Sequence, residues 1–314
     1  FTINLLEISC NMHINNLLKI SLLLVAAFLY SCSKNETSSQ LQQELQTIID
    51  GKDATIGIAL IANDTDTLSI NNDIEYPLMS VMKMHQAIHV AKWLQEHDLD
   101  IYHMVNIPPE DLKPDTYSPL RDSFPNGNIK LTVKHLLEYT LKLSDNNACD
   151  ILFKLTGGPH ATDSCIRSIG MTDFLITATE DDMHRDISQS YANHSTPLSA
   201  ASLINDLFTK TDDTNRNIQF IRQTMLDCNT GLARIPKGIG ADAKIAHKTG
   251  TSDRNSQGRW IGTNDVAYIM LPDGSHYSLA VFVKDSFETP ETNEAIIAEI
   301  SSTVYQYLIT QPRD

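Results

Sequence analysis

In Pro77-Leu78-Met79-Ser80-Val81-Met82-Lys83-Met84-His85-Gln86-Ala87-Ile88, the sequence changes from a strand-like to a helical pattern. Apolar residues recur every three or four positions, which predicts a helix over residues 80–96 with a single apolar stripe. Ser80 lies at the predicted N-terminus of this helix, where unsatisfied N–H groups favour negative charge. Lys83 lies on the same face and could take a proton from Ser80. By itself, this spacing also fits a helix cap followed by a surface lysine.

Strand-like segments lie before and after the helical middle of the chain. Ala54–Ala62 and Leu68–Ile70 predict a hairpin, and three more strands follow Lys244. These three are predicted at Ile245–Lys248, Asp265–Leu271 and Tyr277–Val283, before a helix around 290–310. Strands grouped at both ends predict an α+β fold, an α/β sandwich, in which terminal helices flank one antiparallel sheet.

The middle of the chain is predicted to be an all-helical lobe. Thr132 is the expected N-cap of one helix, and another runs from Asn146 to Leu155 and stops at Gly157-Gly158. Further helical patterns cover about 197–210 and 215–228. The sheet lobe would then comprise about 45–75 and 230–314, and the helical lobe about 76–229, with an active site between them.

The N-terminus has the pattern of a secretory signal. Residues 1–11 resemble translated upstream sequence, and residues 12–31 combine a basic start with an apolar run that ends at Tyr30. Leu29-Tyr30-Ser31-Cys32 resembles the lipobox of bacterial lipoproteins, which implies lipidation of Cys32 and a membrane-anchored protein in the bacterial periplasm. An ordinary cleaved signal with an incidental cysteine is the alternative. Residues 32–44 are polar and predicted to form a tether, and 45–314 a single domain.

Charge and cysteine content narrow the possible partners. The net charge is −15 over 314 residues, which argues against nucleic acid and anionic membrane surfaces as partners. Any membrane contact would therefore be made through the N-terminal anchor, and we expect a monomer. Beyond the N-terminal region the cysteines are Cys149, Cys165 and Cys228, without a CxxC motif. They predict free thiols, with a Cys149–Cys165 disulfide as the alternative.

Three more short segments carry reactive groups. Ser144-Asp145-Asn146 lies between two predicted helices, and Lys248-Thr249-Gly250-Thr251 ends a predicted strand, where Gly250 would allow a ligand close to the backbone. Glu180 lies 36 residues after Ser144 and 68 residues before Lys248. Individually these could be a capped interhelical turn, a strand end and a solvated loop charge. Their joint occurrence with Ser80 and Lys83 forms the S-x-x-K, S-D-N, K-T-G combination of acyl-serine enzymes.

This combination resembles the serine β-lactamases of molecular class A over about residues 45–314. The longest matches are Ser-Asp-Asn-Asn-Ala-Cys-Asp at 144–150, Glu-Asp-Asp-Met-His at 180–184 and Ala-His-Lys-Thr-Gly-Thr-Ser at 246–252. They are most similar to the extended-spectrum cephalosporinase branch. The resemblance implies a β-lactamase/transpeptidase-like fold and a Ser80 acyl-enzyme. Lys83, or Glu180 through a water molecule, would be the base for acylation, and Glu180 would activate the water that releases the product.

The resemblance also implies roles for the residues around these groups. Ser144 would pass a proton to the departing lactam nitrogen, and the backbone N–H groups of Ser80 and Thr251 would form the oxyanion hole. The implied substrate-binding residues are Tyr117, Asn146, His184, Arg234, Lys248, Thr249, Gly250, Thr251 and Ser252. No metal or cofactor is expected, although His85 and His89 have a spacing that could bind a metal.

The surroundings of Glu180 depart from the usual class A pattern. Ala178 and Asn193 occupy the positions of the usual arginine–aspartate bridge, Asp150 replaces an asparagine, and His184 replaces an asparagine that holds the hydrolytic water. We therefore expect an altered path of the loop. The arginine usually found beyond the K-T-G strand is also missing, and Arg234 is its expected substitute.

The function implied is hydrolysis of penicillins and cephalosporins, which gives antibiotic resistance. Thr251-Ser252 indicates extended-spectrum cephalosporins among the substrates. A D-alanyl-D-alanine carboxypeptidase or transpeptidase is the first alternative, and it would not need Glu180. A non-catalytic ligand-binding surface lipoprotein is the second, and it would be expected to have lost a catalytic group.

Overall fold

A computed structural model describes residues 39–210 and 214–310 of the chain. It divides into two units, residues 1–47 and residues 48–314. The predicted upstream residues, signal peptide and lipidated Cys32 lie outside the described residues. Among the helices that are described, none combines the length and hydrophobicity that crossing a bilayer requires.

The first described element is helix α1 at 39–49. Leu41, Leu45 and Ile49 are buried in it, and their spacing of four residues places them on one helical face. The prediction of a polar tether as far as residue 44 is therefore wrong for residues 39–44. Polar residues separate these three apolar side chains in the sequence, so the apolar stripe of the helix was not recognised.

An antiparallel sheet is the centre of the second unit, and it confirms the predicted α+β class. Its strand order is β2-β1-β10-β9-β8. The strands are β1 (Thr55–Ala62), β2 (Asp66–Ile70), β8 (Lys244–Thr251), β9 (Trp260–Met270) and β10 (His276–Ser286). All five predicted strands are present. Because β8 is an edge strand, one side of its backbone is free to face the site.

Helices cover this sheet, so its strands are buried on both faces. Helix α8 (Pro197–Thr209) packs against β1, β9 and β10, and helix α10 (Pro290–Thr310) packs against β9 and β10. Ser278 of β10 donates a hydrogen bond of 3.1 Å to Asn205 of α8. In β1, every residue after Thr55 is buried, as expected for a strand between two layers of helices.

The helical lobe surrounds helix α2 (Met82–Glu96). Its remaining helices are α3 (Pro119–Ser123), α4 (Val133–Lys142), α5 (Asn146–Thr156), α6 (Pro159–Ser168), α7 (Glu180–Arg185) and α9 (Arg216–Leu226). Every residue from Met82 to Ala91 is buried, so the predicted single stripe accounts for only part of α2. One buried polar side chain of α2 reaches a neighbouring helix, because Gln86 donates to the Cys149 carbonyl of α5 at 2.8 Å.

The predicted helix ends agree with the structure. Thr132 caps α4 by accepting a hydrogen bond from the His135 N–H, and α5 ends at Gly157 in the left-handed conformation. Helix α6 was not predicted. It begins with a proline directly after Gly158, and its sequence Pro-His-Ala-Thr-Asp-Ser-Cys-Ile-Arg-Ser is mostly polar.

A small sheet joins the chain before Ser80 to both ends of the Glu180 loop. It has the order β3-β7-β6, formed by β3 (Tyr76–Pro77), β7 (His194–Ser195) and β6 (Phe174–Leu175). A second small sheet pairs β4 (Met104–Ile107) with β5 (Ile129–Thr132). None of these short strands was predicted, because two to four residues carry too little periodicity. The first sheet brings Glu180 close to Ser80.

Candidate active site

Ser80 lies in a 3₁₀ turn, Met79–Val81, that runs directly into α2. Met79 has φ of 49°, an uncommon conformation for a residue with a side chain. Such a conformation persists only when the surrounding structure holds the turn in place. A Cβ atom on Gly250 would lie 2.7 Å from the Leu78 carbonyl oxygen, so β8 can approach this turn only at a glycine. The glycine predicted to admit a ligand instead admits the backbone beside Ser80.

Lys83 is fully buried and connects the reactive groups. Its Nζ atom donates to Ser80 Oγ at 3.0 Å, the Ser144 carbonyl at 2.7 Å and Asn146 Oδ1 at 2.7 Å. Glu180 Oε1 lies 2.8 Å from the same Nζ as an ion pair. This oxygen is buried, and the Lys83 ammonium group is its ion-pair partner. Lys83 therefore joins a buried carboxylate oxygen to the Ser80 hydroxyl.

The turn containing Ser144 is also strained and tightly held. Ser144 has φ of 58°, and its hydroxyl accepts a hydrogen bond of 3.0 Å from Lys248 Nζ. The buried Asp145 caps α5 through the Ala148 N–H and accepts the Leu120 N–H at 2.6 Å. The Asp145 carboxylate thus positions the two residues on either side of it.

Asn146 joins this turn to the segment that contains Tyr117. Its backbone N–H donates to the Tyr117 carbonyl at 3.1 Å, and its side-chain amide donates to Thr116 Oγ1 at 2.8 Å. Tyr117 itself is 61% exposed. An exposed aromatic ring beside the Ser144 turn is available to contact a ligand, and its role stays a prediction.

Lys248 is the second buried cation of the site. Its Nζ donates to Ser144 Oγ and to the Thr249 carbonyl at 2.9 Å. Burial lowers the pKa of Lys248 to about 7, and the positive charge of Lys83 acts in the same direction. Near neutral pH, Lys248 can therefore exchange a proton with Ser144.

The edge of β8 carries the Thr251 N–H, which the sequence predicts as the second oxyanion donor. The Ser252 N–H donates inward to the Gly262 carbonyl at 3.0 Å. Because successive N–H groups of a strand point to opposite sides, the Thr251 N–H faces the free edge of the sheet. The same edge packs against the turn that contains Ser80.

The side chain of Ser252 does not face the cleft as predicted. Ser252 Oγ accepts a hydrogen bond of 2.8 Å from the Gly262 N–H, and the residue is only 8% exposed. Its hydroxyl therefore joins β8 to β9, and its assignment to substrate binding is corrected.

Arg234 is buried, which excludes an ordinary surface arginine. Its guanidinium donates to Thr251 Oγ1 at 2.7 Å and to the Gly250 and Asn264 carbonyls, each at 2.9 Å. The Glu294 carboxylate of α10 holds its other side at 3.2 Å. The structure therefore places a fixed positive charge next to the Thr251 hydroxyl. Thr249 is buried on the same strand.

Glu180 begins α7 and is positioned through its backbone. Asp150 accepts the Glu180 N–H at 2.8 Å and the Asp181 N–H at 2.9 Å. Burial raises the pKa of Asp150 to about 7, and the negative charge of Glu180 adds to this effect. The peptide bond between Glu180 and Asp181 is trans. His184 lies one turn further along α7 and is exposed, and its role stays a prediction.

A single amide replaces the expected arginine–aspartate bridge of this loop. Asn193 Oδ1 accepts the N–H groups of Thr177 and Ala178 at 2.8 and 2.9 Å, and its Nδ2 donates to the Ala178 carbonyl at 2.8 Å. The sequence shows that the bridge is missing, whereas the substitute is visible only in the structure. Asn264 was missed entirely. It donates to the Pro77 carbonyl at 2.7 Å and supports the turn before Ser80.

The two histidines whose spacing could bind a metal, and two of the cysteines, lie in ordinary protein surroundings. His89 Nδ1 lies 2.9 Å from Thr162 Oγ1, and His85 is buried against Phe174. Within residues 39–210 and 214–310, no group of three or more His, Cys, Asp or Glu side chains could hold a metal. Cys149 and Cys165 are both free, which confirms the predicted thiols.

Comparisons with known proteins agree with this site. A family model described as the β-lactamase enzyme family matches residues 40–308. A β-lactamase from Bacteroides uniformis is 36% identical over 91% of this chain and 97% of its own length. The extended-spectrum β-lactamase PER-1 from Pseudomonas aeruginosa is 35% identical over 95% of this chain and 96% of its own length.

Solved structures give the same result. A class A β-lactamase from Bacteroides cellulosilyticus superposes with a TM-score of 0.83 at 36% identity, covering 88% of this chain and 99% of that structure. Together with the arrangement of Ser80, Lys83 and Glu180, these matches show that the chain belongs to the β-lactamase enzyme family, in its class A.

Proposed function

We propose that this protein hydrolyses the β-lactam ring of penicillins and cephalosporins and so confers resistance to them. One observation carries the proposal: a buried Glu180 carboxylate oxygen lies 2.8 Å from Lys83 Nζ, which in turn contacts Ser80 Oγ at 3.0 Å. This group can hold and deprotonate a water molecule beside an acylated serine. Hydrolysis requires such a base, whereas acylation alone does not.

Acylation begins with attack of Ser80 Oγ on the lactam carbonyl carbon. Lys83 first gives a proton to Glu180 Oε1 at 2.8 Å, and its neutral amine then takes the Ser80 proton at 3.0 Å. Alternatively, Glu180 takes the Ser80 proton through a water molecule. The developing oxyanion is stabilised by the N–H groups of Ser80 and Thr251, worth about 3 kcal/mol for each donor. As the C–N bond breaks, Ser144 protonates the lactam nitrogen and regains a proton from Lys248.

Deacylation depends on Glu180. Its carboxylate takes a proton from water, and the resulting hydroxide attacks the ester carbonyl and releases Ser80. The backbone bonds from Asp150 keep this carboxylate directed at the site. A D-alanyl-D-alanine transpeptidase, which shares the acyl-serine, has no need for this base, and a non-catalytic binding protein has no need for any of these groups.

The substrate carboxylate is bound at the edge of β8. Lys248, Thr249 and Thr251 line this edge, and the Arg234 guanidinium is fixed against the Thr251 hydroxyl at 2.7 Å. A substrate carboxylate at this edge interacts with the positive charges of Lys248 and Arg234. This interaction offsets part of the solvation that the two side chains lose through burial. Extended-spectrum cephalosporins belong to the proposed substrates, in keeping with the extended-spectrum relative. Asn146 would hold the amide side chain of the substrate.

The proposal includes the cellular location of the enzyme. A secretory signal that ends at Cys32 would place a lipid-anchored monomer in the periplasm, where β-lactams meet their targets. Changing Cys32→Ser should move the activity from the membrane fraction to the soluble fraction. Activity that stays with the membrane in this variant would rule out the lipid anchor. Size-exclusion chromatography with light scattering tests the monomer.

The central experiment compares two neighbouring acids. The native protein should open a chromogenic cephalosporin over many turnovers, whereas Glu180→Gln should stop after one acylation. Mass spectrometry should then find the acyl adduct on Ser80. Asp181→Asn is the matched control, because its side chain pairs only with Arg185 at 3.3 Å and its backbone is unchanged.

The outcomes separate the three functions. Asp181→Asn should retain most of the turnover. A native protein that acylates only once would instead be a carboxypeptidase or transpeptidase. The absence of any adduct on Ser80 would leave a non-catalytic binding protein.

A further inference from the structure

A second cluster of reactive side chains lies behind the site, on the opposite face of β8. His247 precedes Lys248, so their side chains point to opposite faces of the strand. His247 is 1% exposed, and its Nδ1 lies 3.0 Å from Oδ1 of Asp265, which is completely buried. The same aspartate accepts the Ile235 N–H at 3.1 Å. Asp265 therefore fixes the ring and its tautomer.

A thiol lies close to this ring. Helix α9, which ends two residues before Cys228, packs against β8. His247 Nε2 is buried and has no hydrogen-bond partner among the described residues, and Cys228 is close enough that each residue shifts the pKa of the other. Cys228 Sγ lies 3.3 Å from Thr230 Oγ1 and 4.0 Å from the Leu141 carbonyl oxygen. Unlike the histidine, Cys228 is partly exposed.

We infer that Cys228, His247 and Asp265 form a thiol-modification site that reacts with low-molecular-weight disulfides. In this cysteine site, His247 activates the sulfur, Asp265 orients His247, and the reagent approaches from the exposed side of Cys228. The arrangement has the order of nucleophile, base and orienting carboxylate that activates nucleophilic side chains in enzymes. None of the three residues takes part in the proposed hydrolysis.

The electrostatics of the cluster agree with its geometry. Burial alone would raise the pKa of Cys228, but the neighbouring His247 lowers it to about 7. Burial alone would lower the pKa of His247, but Asp265 raises it to about 10. The other charged groups nearby are Lys248, which favours the thiolate, and the ion pair of Lys142 with Asp227 at 3.7 Å.

The remaining described cysteines lack this environment. Cys149 is buried, and burial raises the pKa of its thiol well above the usual value. Cys165 is partly exposed, but burial raises its pKa as well. Because the thiolate is the reactive form, Cys228 should react first at neutral pH.

The reaction is a thiol–disulfide exchange. His247 Nε2 holds the proton of the Cys228 thiol, and the thiolate attacks one sulfur of the disulfide R–S–S–R. A new S–S bond forms to Cys228 as the original S–S bond breaks, and R–S⁻ leaves with the electron pair of that bond. Neither an additional oxidant nor a metal is needed.

A modified Cys228 would also disturb the site in front of it. Cys228 starts the segment that leads to Arg234, and a Cβ atom on Gly231 would lie only 2.4 Å from the Thr249 side chain. A bulky adduct therefore pushes this segment against Thr249. This consequence rests on the proposed function, and the expected result is a several-fold rise in KM for a cephalosporin.

The test treats the full chain with 5,5′-dithiobis(2-nitrobenzoate) between pH 5.5 and 8.5. Released thionitrobenzoate is followed by absorbance, and peptide mass spectrometry identifies the modified cysteine. The expected result is rapid labelling of Cys228, with half-maximal rate near pH 7. Cys228→Ser should abolish the rapid phase, whereas the matched control Cys165→Ser should retain it. His247→Asn should slow labelling at pH 7 by about tenfold.

Rapid labelling of another cysteine would overturn the inference, as would a Cys228 rate with its midpoint above pH 8. The second measurement uses native protein and stays decisive if His247→Asn does not fold. The thiol release does not depend on lactam hydrolysis, so failure of the two proposals can be told apart. Complete modification of Cys228 with unchanged KM would refute the coupling to Thr249.

Discussion

Two turns complete the site around Ser80, and a single aspartate holds each of them. Asp145 accepts N–H groups from Leu120 and Ala148 and the hydroxyl of Ser118. Asp150 accepts only the N–H groups of the Glu180 turn. Both carboxylates accept backbone N–H groups for which these sharp turns offer no backbone acceptor.

The electrostatic surroundings of the two aspartates differ. Burial raises the pKa of both, and in both cases hydrogen bonds and the charge of Lys83 oppose it. For Asp150, the Glu180 carboxylate adds to the effect of burial and brings the pKa to about 7. The Ser144 turn is thus held by a carboxylate that accepts both backbone and side-chain donors. The Glu180 turn is held by a carboxylate that titrates near neutral pH.

The largest effect is expected when the Ser144 turn is broken. Asp145→Ala leaves the buried Leu120 and Ala148 N–H groups without acceptors and removes the cap of α5. The free energy of unfolding should fall by about 3 to 5 kcal/mol in urea titrations. Asp186→Ala is the control, since Asp186 also accepts an N–H at the start of a helical turn but is fully exposed. Similar losses for the two variants would contradict the role of Asp145.

The next effect is a pH dependence of stability that arises in the Glu180 turn. Because the pKa of Asp150 is raised from 3.8 to about 7, the folded protein holds an extra proton between these values. The free energy of unfolding therefore falls as pH rises through this window, by about 1.4 kcal/mol for each pKa unit. Asp150→Asn cannot ionise and should lose this slope between pH 5 and 6.5, below the range in which the shifted pKa values of His247 and Lys248 contribute.

Urea titrations of both proteins at several pH values measure the slope. Asp182→Asn is the control, because the Thr179 hydroxyl lowers the pKa of Asp182 and places its window below pH 3.8. Its slope between pH 5 and 6.5 should equal that of the native protein. A native slope that persists in Asp150→Asn would show that another group causes it.

The smallest effect is expected at Ser252, which lies outside both turns and therefore serves as a reference for them. Ser252→Ala removes one hydrogen bond to the Gly262 N–H and should cost about 1 kcal/mol of stability. KM for a cephalosporin should stay within about twofold of the native value, a change below 0.5 kcal/mol. Thr251→Val removes the hydroxyl that contacts Arg234 and should raise KM. An equal rise in both variants would restore Ser252 to substrate binding.

Much of the fold follows from local patterns in the sequence. Helices α2, α4 and α5 were predicted, α4 with its N-cap Thr132 and α5 with its stop at Gly157, because 3.6-residue periodicity and capping residues lie close together in the chain. The short strands β3, β6 and β7 were not predicted. The pairing of β3 with β7 joins residues more than 100 positions apart, as between Tyr76 and Ser195. The helix at 39–49 was missed because three apolar residues are separated by many polar ones.

The site divides in a similar way. The amino-acid sequence by itself determined the reactive groups, their order and their reaction class, because Ser80, Lys83, Ser144, Glu180 and Lys248 carry their chemistry in their own side chains. Only the tertiary structure decided that Glu180 pairs with Lys83, that Gly250 lies against the Leu78 carbonyl, and that the Ser252 hydroxyl accepts the Gly262 N–H. It also brought Cys228, His247 and Asp265 together. These properties depend on which distant residues fill a shared space and use each hydrogen-bonding group, and no local pattern records that.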